Sequence, residues 1–196
     1  MDKLFSQKKT PIWFMRQAGR YLPEYKKIRS TEKTFLDLCF NSEKAAKISL
    51  QPIERFDLDF IILFSDILVV PHALGQFVDF KENIGPILEP INNKHDLDFK
   101  SLTKNLKILD PVFNTIKLIK KNNNDKNLIG FCGGPFTVLT YMIEGGTSKI
   151  HQKVKTKLKK EKNELLEIIE ILVEFSSMYL IEQIKSGANI VKIFES

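Results

Sequence analysis

Arg16 and Arg20 stand four residues apart in the stretch Pro11-Ile12-Trp13-Phe14-Met15-Arg16-Gln17-Ala18-Gly19-Arg20-Tyr21-Leu22-Pro23-Glu24-Tyr25. Elsewhere the chain meets its need for positive charge with lysine: of 30 Lys+Arg, only Arg16, Arg20, Arg29 and Arg55 are arginine. An arginine kept against that background suits a site needing a flat, permanently charged fork that grips a carboxylate or phosphate through two parallel hydrogen bonds. Three of the four fall between positions 16 and 29, which reads as an anion site near the N-terminus. Arginine is a poor proton donor at neutral pH, its pKa lying above about 12. Arg16 and Arg20 are therefore expected to hold an anion and not to donate a proton themselves. Gln17, Ala18 and Gly19 would offer backbone groups between the two arginines, with glycine permitting close approach.

The elements that must carry these residues alternate. Ser42 to Arg55 reads as a helix capped by Ser42, with an apolar stripe (Ile48, Leu50, Ile53) interrupted by Pro52. Leu58 to Phe64 reads as a buried strand that stops at Ser65-Asp66. Phe77 to Phe80 reads as a short accessory strand followed by a loop through Asn93. Pro111 to Lys120 has helical spacing, Leu128 to Cys132 is a second buried strand ending at Gly133-Gly134, and Pro135 to Ile143 starts as a helix with proline in its first turn. Asn163 to Lys185 is a long amphipathic helix stopped at Gly187, and Asn189 to Phe194 is a third strand. Apolar strands alternating with helices predict a parallel α/β sheet covered on both faces. In such folds functional groups gather beyond the carboxyl ends of the strands, so Ser65-Asp66, Gly133-Gly134 and Glu195-Ser196 are expected to face one cleft. Gly133-Gly134 lacks the Gly-x-x-x-x-Gly-Lys-Ser/Thr spacing of a phosphate loop, and Pro135 removes a donor there.

Bulk properties narrow the class. A chain of 196 residues with 43% hydrophobic and 28% charged residues fits one globular domain. No run of about 18 apolar residues predicts a membrane span. The N-terminus has no apolar secretory core, and Cys39 and Cys132 are too few and too far apart for a disulfide framework or zinc site, so a cytoplasmic location is expected. The net charge is +6, with seven lysines against Glu161 between Lys149 and Lys162. That run reads as a solvated helix face, since it carries no aromatics to stack on bases; no nucleic-acid partner is expected. His72, His95 and His151 match no motif and are expected at the surface, and Arg55 is expected as a structural cation at a helix C-terminus.

Four blocks, in order and spanning nearly the whole chain, resemble the uroporphyrinogen decarboxylase family. They are Arg16 to Glu24; Leu50 to Phe56 with Ile62 to Pro71; Gly133 to Thr137 with Thr140 to Gly146; and Gly187-Ala188 with Ile193-Phe194-Glu195-Ser196. The resemblance implies a (β/α)₈ barrel of which this chain would hold an incomplete part, the C-terminal portion being absent. Such barrels need about 250 residues, so a 196-residue product is expected to be poorly stable and inactive alone. The resemblance further implies removal of four acetate carboxyls from uroporphyrinogen III to give coproporphyrinogen III in heme and porphyrin synthesis, with no metal or organic cofactor, by a homodimer when full length. Asp66 and Arg16 would be catalytic. Arg16, Gln17, Ala18, Gly19, Arg20, Arg29, Phe64, Asp66, Tyr141, Phe194 and Ser196 would contact substrate, and the family's substrate-site histidine falls in a later block. Two other readings stand beside it: a zinc-dependent methyltransferase of the same superfamily acting on corrinoid or thiol acceptors, and a non-catalytic basic binding fragment.

Overall fold

The computed structural model describes residues 9–15, 17 and 19–195. Arg16, Ala18 and Ser196 lie outside the described residues. Three strands form a parallel sheet in the order β1 (Phe60–Ile62), β4 (Asn127–Gly133), β5 (Ile190–Phe194). The register is continuous, Phe60 opposite Asn127 and Ile129 opposite Ile190. A separate antiparallel hairpin, β2 (Val78–Lys81) with β3 (Gly85–Leu88), pairs Val78 with Leu88. The loop expected through Asn93 thus contains a strand. Gly85 and Pro86 tolerate that place because the hairpin is two-stranded and the far side of β3 makes only an isolated bridge among the described residues, Ile87 with Gly146, so few ladder donors are needed there.

Helices surround the sheet. They are α1 (Pro23–Arg29), α2 (Phe35–Phe40), α3 (Ser42–Arg55), α4 (Val69–Ala73), α5 (Leu102–Leu106), α6 (Asp110–Asn122), α7 (Pro135–Glu144), α8 (Gln152–Lys160) and α9 (Lys162–Ser186). Helix α3 has the expected bounds but a different cap. Asn41, not Ser42, accepts the Lys44 N–H at 3.2 Å, while the Ser42 hydroxyl turns to the Pro111 carbonyl and ties α3 to α6. Arg55 closes α3 and pairs with Glu24 of α1 at 3.1 Å. His95 and His151 are exposed as expected. His72 departs from expectation: it is half-buried against the Phe40 ring, and burial lowers its pKa.

The core lies where the sheet meets α6 and α9, on Ile61, Leu128, Ile116, Leu172, Phe175 and Tyr179, all at most 1% exposed. Gln183 of α9 sits among them at 0% exposed; its amide takes the Phe131 N–H at 2.8 Å and donates to the Phe131 carbonyl at 2.9 Å. A second cluster (Leu22, Tyr25, Phe35, Leu38, Cys39, Ile48) packs around Phe64. Strand β1 is shorter than the apolar run suggests because the Phe64 N–H leaves the sheet for the Ser49 hydroxyl at 2.8 Å. That departure points the Ser65-Asp66 turn into the cleft beyond the strand ends.

Candidate active site

A cleft of about 670 Å³ opens beyond the carboxyl ends of β1, β4 and β5. Its walls include Trp13, Gly19, Arg20, Phe64, Ser65, Asp66, Phe131 and Phe194. The cleft therefore brings together Gly19, Arg20, Phe64, Asp66 and Phe194 among the residues expected from the sequence.

Asp66 is fixed by its own turn. Its Oδ1 accepts the Leu68 N–H at 3.0 Å, and its Oδ2 faces the Arg20 Nη2 at 3.9 Å. The side chain is 15% exposed, against 53% for Arg20. Burial pushes the Asp66 carboxyl above its ordinary pKa, opposed by the backbone N–H groups of Leu68 and Ile67 and by the Arg20 charge. At 3.9 Å the pair is loose, so the carboxylate keeps lone pairs free to accept N–H donors from a bound ring. The Arg20 guanidinium lies over the Phe35 ring, 4.5 Å from its centroid, which holds the cation at the mouth without neutralising it.

The backbone around Arg20 is set by Gly19, whose φ of 68° is left-handed. A Cβ there would meet Leu22 Cδ1 at 2.7 Å, so the sharp turn and the tight seat of Leu22 both require glycine. Gln17 does something other than expected. Its N–H closes a turn on the Phe14 carbonyl at 2.9 Å, and its buried side-chain amide donates to the Phe60 carbonyl, anchoring the N-terminal segment to β1.

Phe194 meets Phe131 edge-on (5.3 Å between centroids) and tilts against Trp13 at 6.0 Å, giving the cleft an aromatic wall. Phe64 is 2% exposed and forms the floor. Sequence reading missed Trp13 and Phe131, although Trp13 is the chain's single tryptophan and sits inside the arginine block.

Other expected residues lie elsewhere. Arg29 does not line the cleft; its Nη1 donates to the Glu32 carbonyl at 2.8 Å. Tyr141 lines a neighbouring cavity between α7 and α8. Glu195 turns away from the cleft to cap α7, accepting the Thr137 N–H at 2.8 Å and the Phe136 N–H at 3.3 Å. Cys39 and Cys132 are buried free thiols, their pKa values raised by desolvation, that of Cys132 to about 11. Among the described residues no group of three His, Cys, Asp or Glu side chains could hold a metal ion, and no helix is long and apolar enough to cross a membrane.

Comparison with known proteins places the chain in a family. The family model described as Uroporphyrinogen decarboxylase (URO-D) matches residues 6–196. A uroporphyrinogen decarboxylase from Rickettsia canadensis is 49% identical over 189 residues, covering 96% of this chain and 56% of the relative. One from Neorickettsia sennetsu is 49% identical over 190 residues, covering 96% and 57%. The chain thus spans about half the length of the curated relatives it matches. Among solved structures, a methyltransferase from Methanosarcina mazei shares the fold, with a TM-score of 0.69 and 18% identity over 86% of this chain and 50% of that one.

Proposed function

Because the chain belongs to the uroporphyrinogen decarboxylase family, we propose that it forms part of one (β/α)₈ barrel domain that decarboxylates the four acetate arms of uroporphyrinogen III to methyl groups. The observation that carries this reading is a partly desolvated carboxylate, Asp66, between a cationic mouth and an aromatic wall. The chemistry asks for that combination. Protonation of a pyrrole carbon makes the ring a cationic electron sink. The bond from the acetate methylene to its carboxylate then breaks, carbon dioxide leaves, and the electron pair forms an exocyclic double bond to the ring. A second proton on the methylene carbon gives the methyl group, and loss of the first proton from the ring carbon restores the pyrrole, so that one proton is consumed for each carbon dioxide released. The substrate serves as its own electron sink, so this reading requires no cofactor.

Asp66 would accept pyrrole N–H bonds and stabilise the ring as it becomes cationic, which is electrostatic preorganisation in a site that excludes much of the water. Arg20 would hold a substrate carboxylate at the mouth, and the wall of Trp13, Phe131 and Phe194 would cover the macrocycle. Arg16, Ala18 and Ser196 keep the roles the family resemblance gives them, as do the cytoplasmic location and the homodimer of the full-length protein.

Arg20→Lys should weaken binding of uroporphyrin, the oxidised octacarboxylate, because lysine cannot make the forked contact. Arg29→Lys should weaken it less, since Arg29 must first leave the Glu32 carbonyl. Trp13 reports the binding directly: its fluorescence should be quenched by the octacarboxylate and left unchanged by the octamethyl ester. Equal quenching by acid and ester would remove carboxylate recognition from the cleft.

A further inference from the structure

We propose that Glu195 is a positioning residue for the substrate wall: together with Gly134 it forms a clasp that fastens the end of β5 to the first turn of α7 and so sets the Phe194 ring. The proposal rests on the decarboxylase reading, in which that ring covers the macrocycle.

Among the described residues β5 is an outer strand of the sheet, and none of its side chains is buried. Packing therefore does little to fix the strand end that carries Phe194. What fixes it is polar. The Gly134 N–H donates to the Phe194 carbonyl at 2.7 Å, extending the ladder beyond its last pair, Gly133 with Phe194. The Glu195 carboxylate then reaches across Gly134. Its Oε1 accepts from the Thr137 N–H at 2.8 Å and from the Thr137 hydroxyl, and its Oε2 accepts from the Phe136 N–H at 3.3 Å. Two N–H groups at the start of α7, which have no partner within the helix, thus meet a negative charge, the sign that a helix N-terminus favours.

Gly134 shows that the clasp is built into the sequence. Its φ of −62° and ψ of 140° are open to any residue, so the backbone does not call for glycine. A Cβ there would fall 2.1 Å from Glu195 Oε2, and the three atoms nearest to it all belong to Glu195. The missing side chain is the room that Glu195 occupies. Gly133 differs, since its Cβ would strike Val138 at 2.4 Å and Ile67 at 2.9 Å. One glycine of the pair serves packing and the other serves the clasp.

Phe194 meets Phe131 and Trp13 in the cleft wall, whereas Asp66 follows β1 at the other edge of the sheet. Loosening the clasp should therefore weaken the hold on the ring and leave the carboxylate in place.

The test uses the natural full-length polypeptide, with uroporphyrin binding followed by fluorescence titration and uroporphyrinogen turnover by product analysis. Glu195→Gly should raise Kd and KM about tenfold, since the cost of re-ordering the strand end is limited to that of the lost cap. At saturating substrate kcat should stay near the parent's, the pattern of lost uniform binding. Gly134→Ala should do the same without changing the charge. Added to Glu195→Gly, however, Gly134→Ala should cost nothing further, because the methyl group then has no carboxylate to displace. A merely structural role gives another pattern: less folded protein lowers the binding amplitude and the measured kcat while Kd and KM stay at the parent's values. That pattern overturns the proposal, as do losses that add in the double variant. If the parent binds and turns over while both single variants match it, this proposal alone fails. A parent that binds no octacarboxylate overturns the decarboxylase reading and this proposal with it.

Discussion

Asp66→Asn in the full-length protein should lower turnover about 10²–10³-fold, the usual cost of losing one preorganised group facing a developing charge, with little change in substrate affinity. Asparagine keeps an oxygen for the Leu68 N–H and keeps the shape of the turn. It removes the negative charge, which matters most when the ring becomes cationic. The same change should leave the melting temperature at neutral pH equal to or above the parent's. Burial raises the Asp66 pKa in the fold, so the folded state holds this proton more tightly than the unfolded chain. Stability from this group is therefore full below the ordinary aspartate pKa and is lost as pH rises through the raised value. Asparagine carries no such penalty. Activity runs the other way, requiring the ionised form and falling on the acid side of the same raised pKa. Undiminished kcat in Asp66→Asn would remove this carboxylate from the mechanism.

Gln183→Leu should be strongly destabilising although it lies outside the cleft. Strand β1 pairs with β4 only as far as Ile129, and the Gln183 amide takes both polar groups of Phe131 two residues further on. Leucine would leave a buried N–H and a buried C=O without partners, at about 1–3 kcal/mol each. The sum is a large share of a typical domain stability of about 5–15 kcal/mol. Gly130→Ala tests the same contact from the other side, because its Cβ would fall 2.2 Å from Gln183 Oε1. Urea denaturation should show both midpoints well below the parent's. A Gln183→Leu midpoint equal to the parent's would mean that the two groups find other partners.

The long elements were legible because each carried its own signal. Leu128 to Cys132 is an unbroken apolar run ending at two glycines, and β4 is found at Asn127–Gly133. The stripe from Asn163 to Lys185 is α9 almost to the residue. What sequence missed depends on distant partners. β1 ends early because a hydroxyl fifteen residues away takes the Phe64 N–H. Glu195 reads as a residue of the cleft until its carboxylate is found capping a helix that begins 60 residues earlier in the chain. Asp66 and Arg20 were found by motif and the cleft holds them together, but nothing local says that Arg29 turns to a carbonyl or that Tyr141 faces a second cavity. Trp13 joins the site only through its packing on Phe194, a contact across almost the whole chain.

The most direct test is anaerobic incubation of the natural full-length polypeptide with uroporphyrinogen III, followed by oxidation and separation of the porphyrins by carboxyl number. The account predicts stepwise loss of carboxyl groups from eight to four, with carbon dioxide released in equal number and the ring propionates intact. It also predicts that Asp66→Asn slows every step. Recovery of the octacarboxylate unchanged, or tetracarboxylate formed as fast by Asp66→Asn as by the parent, would contradict it.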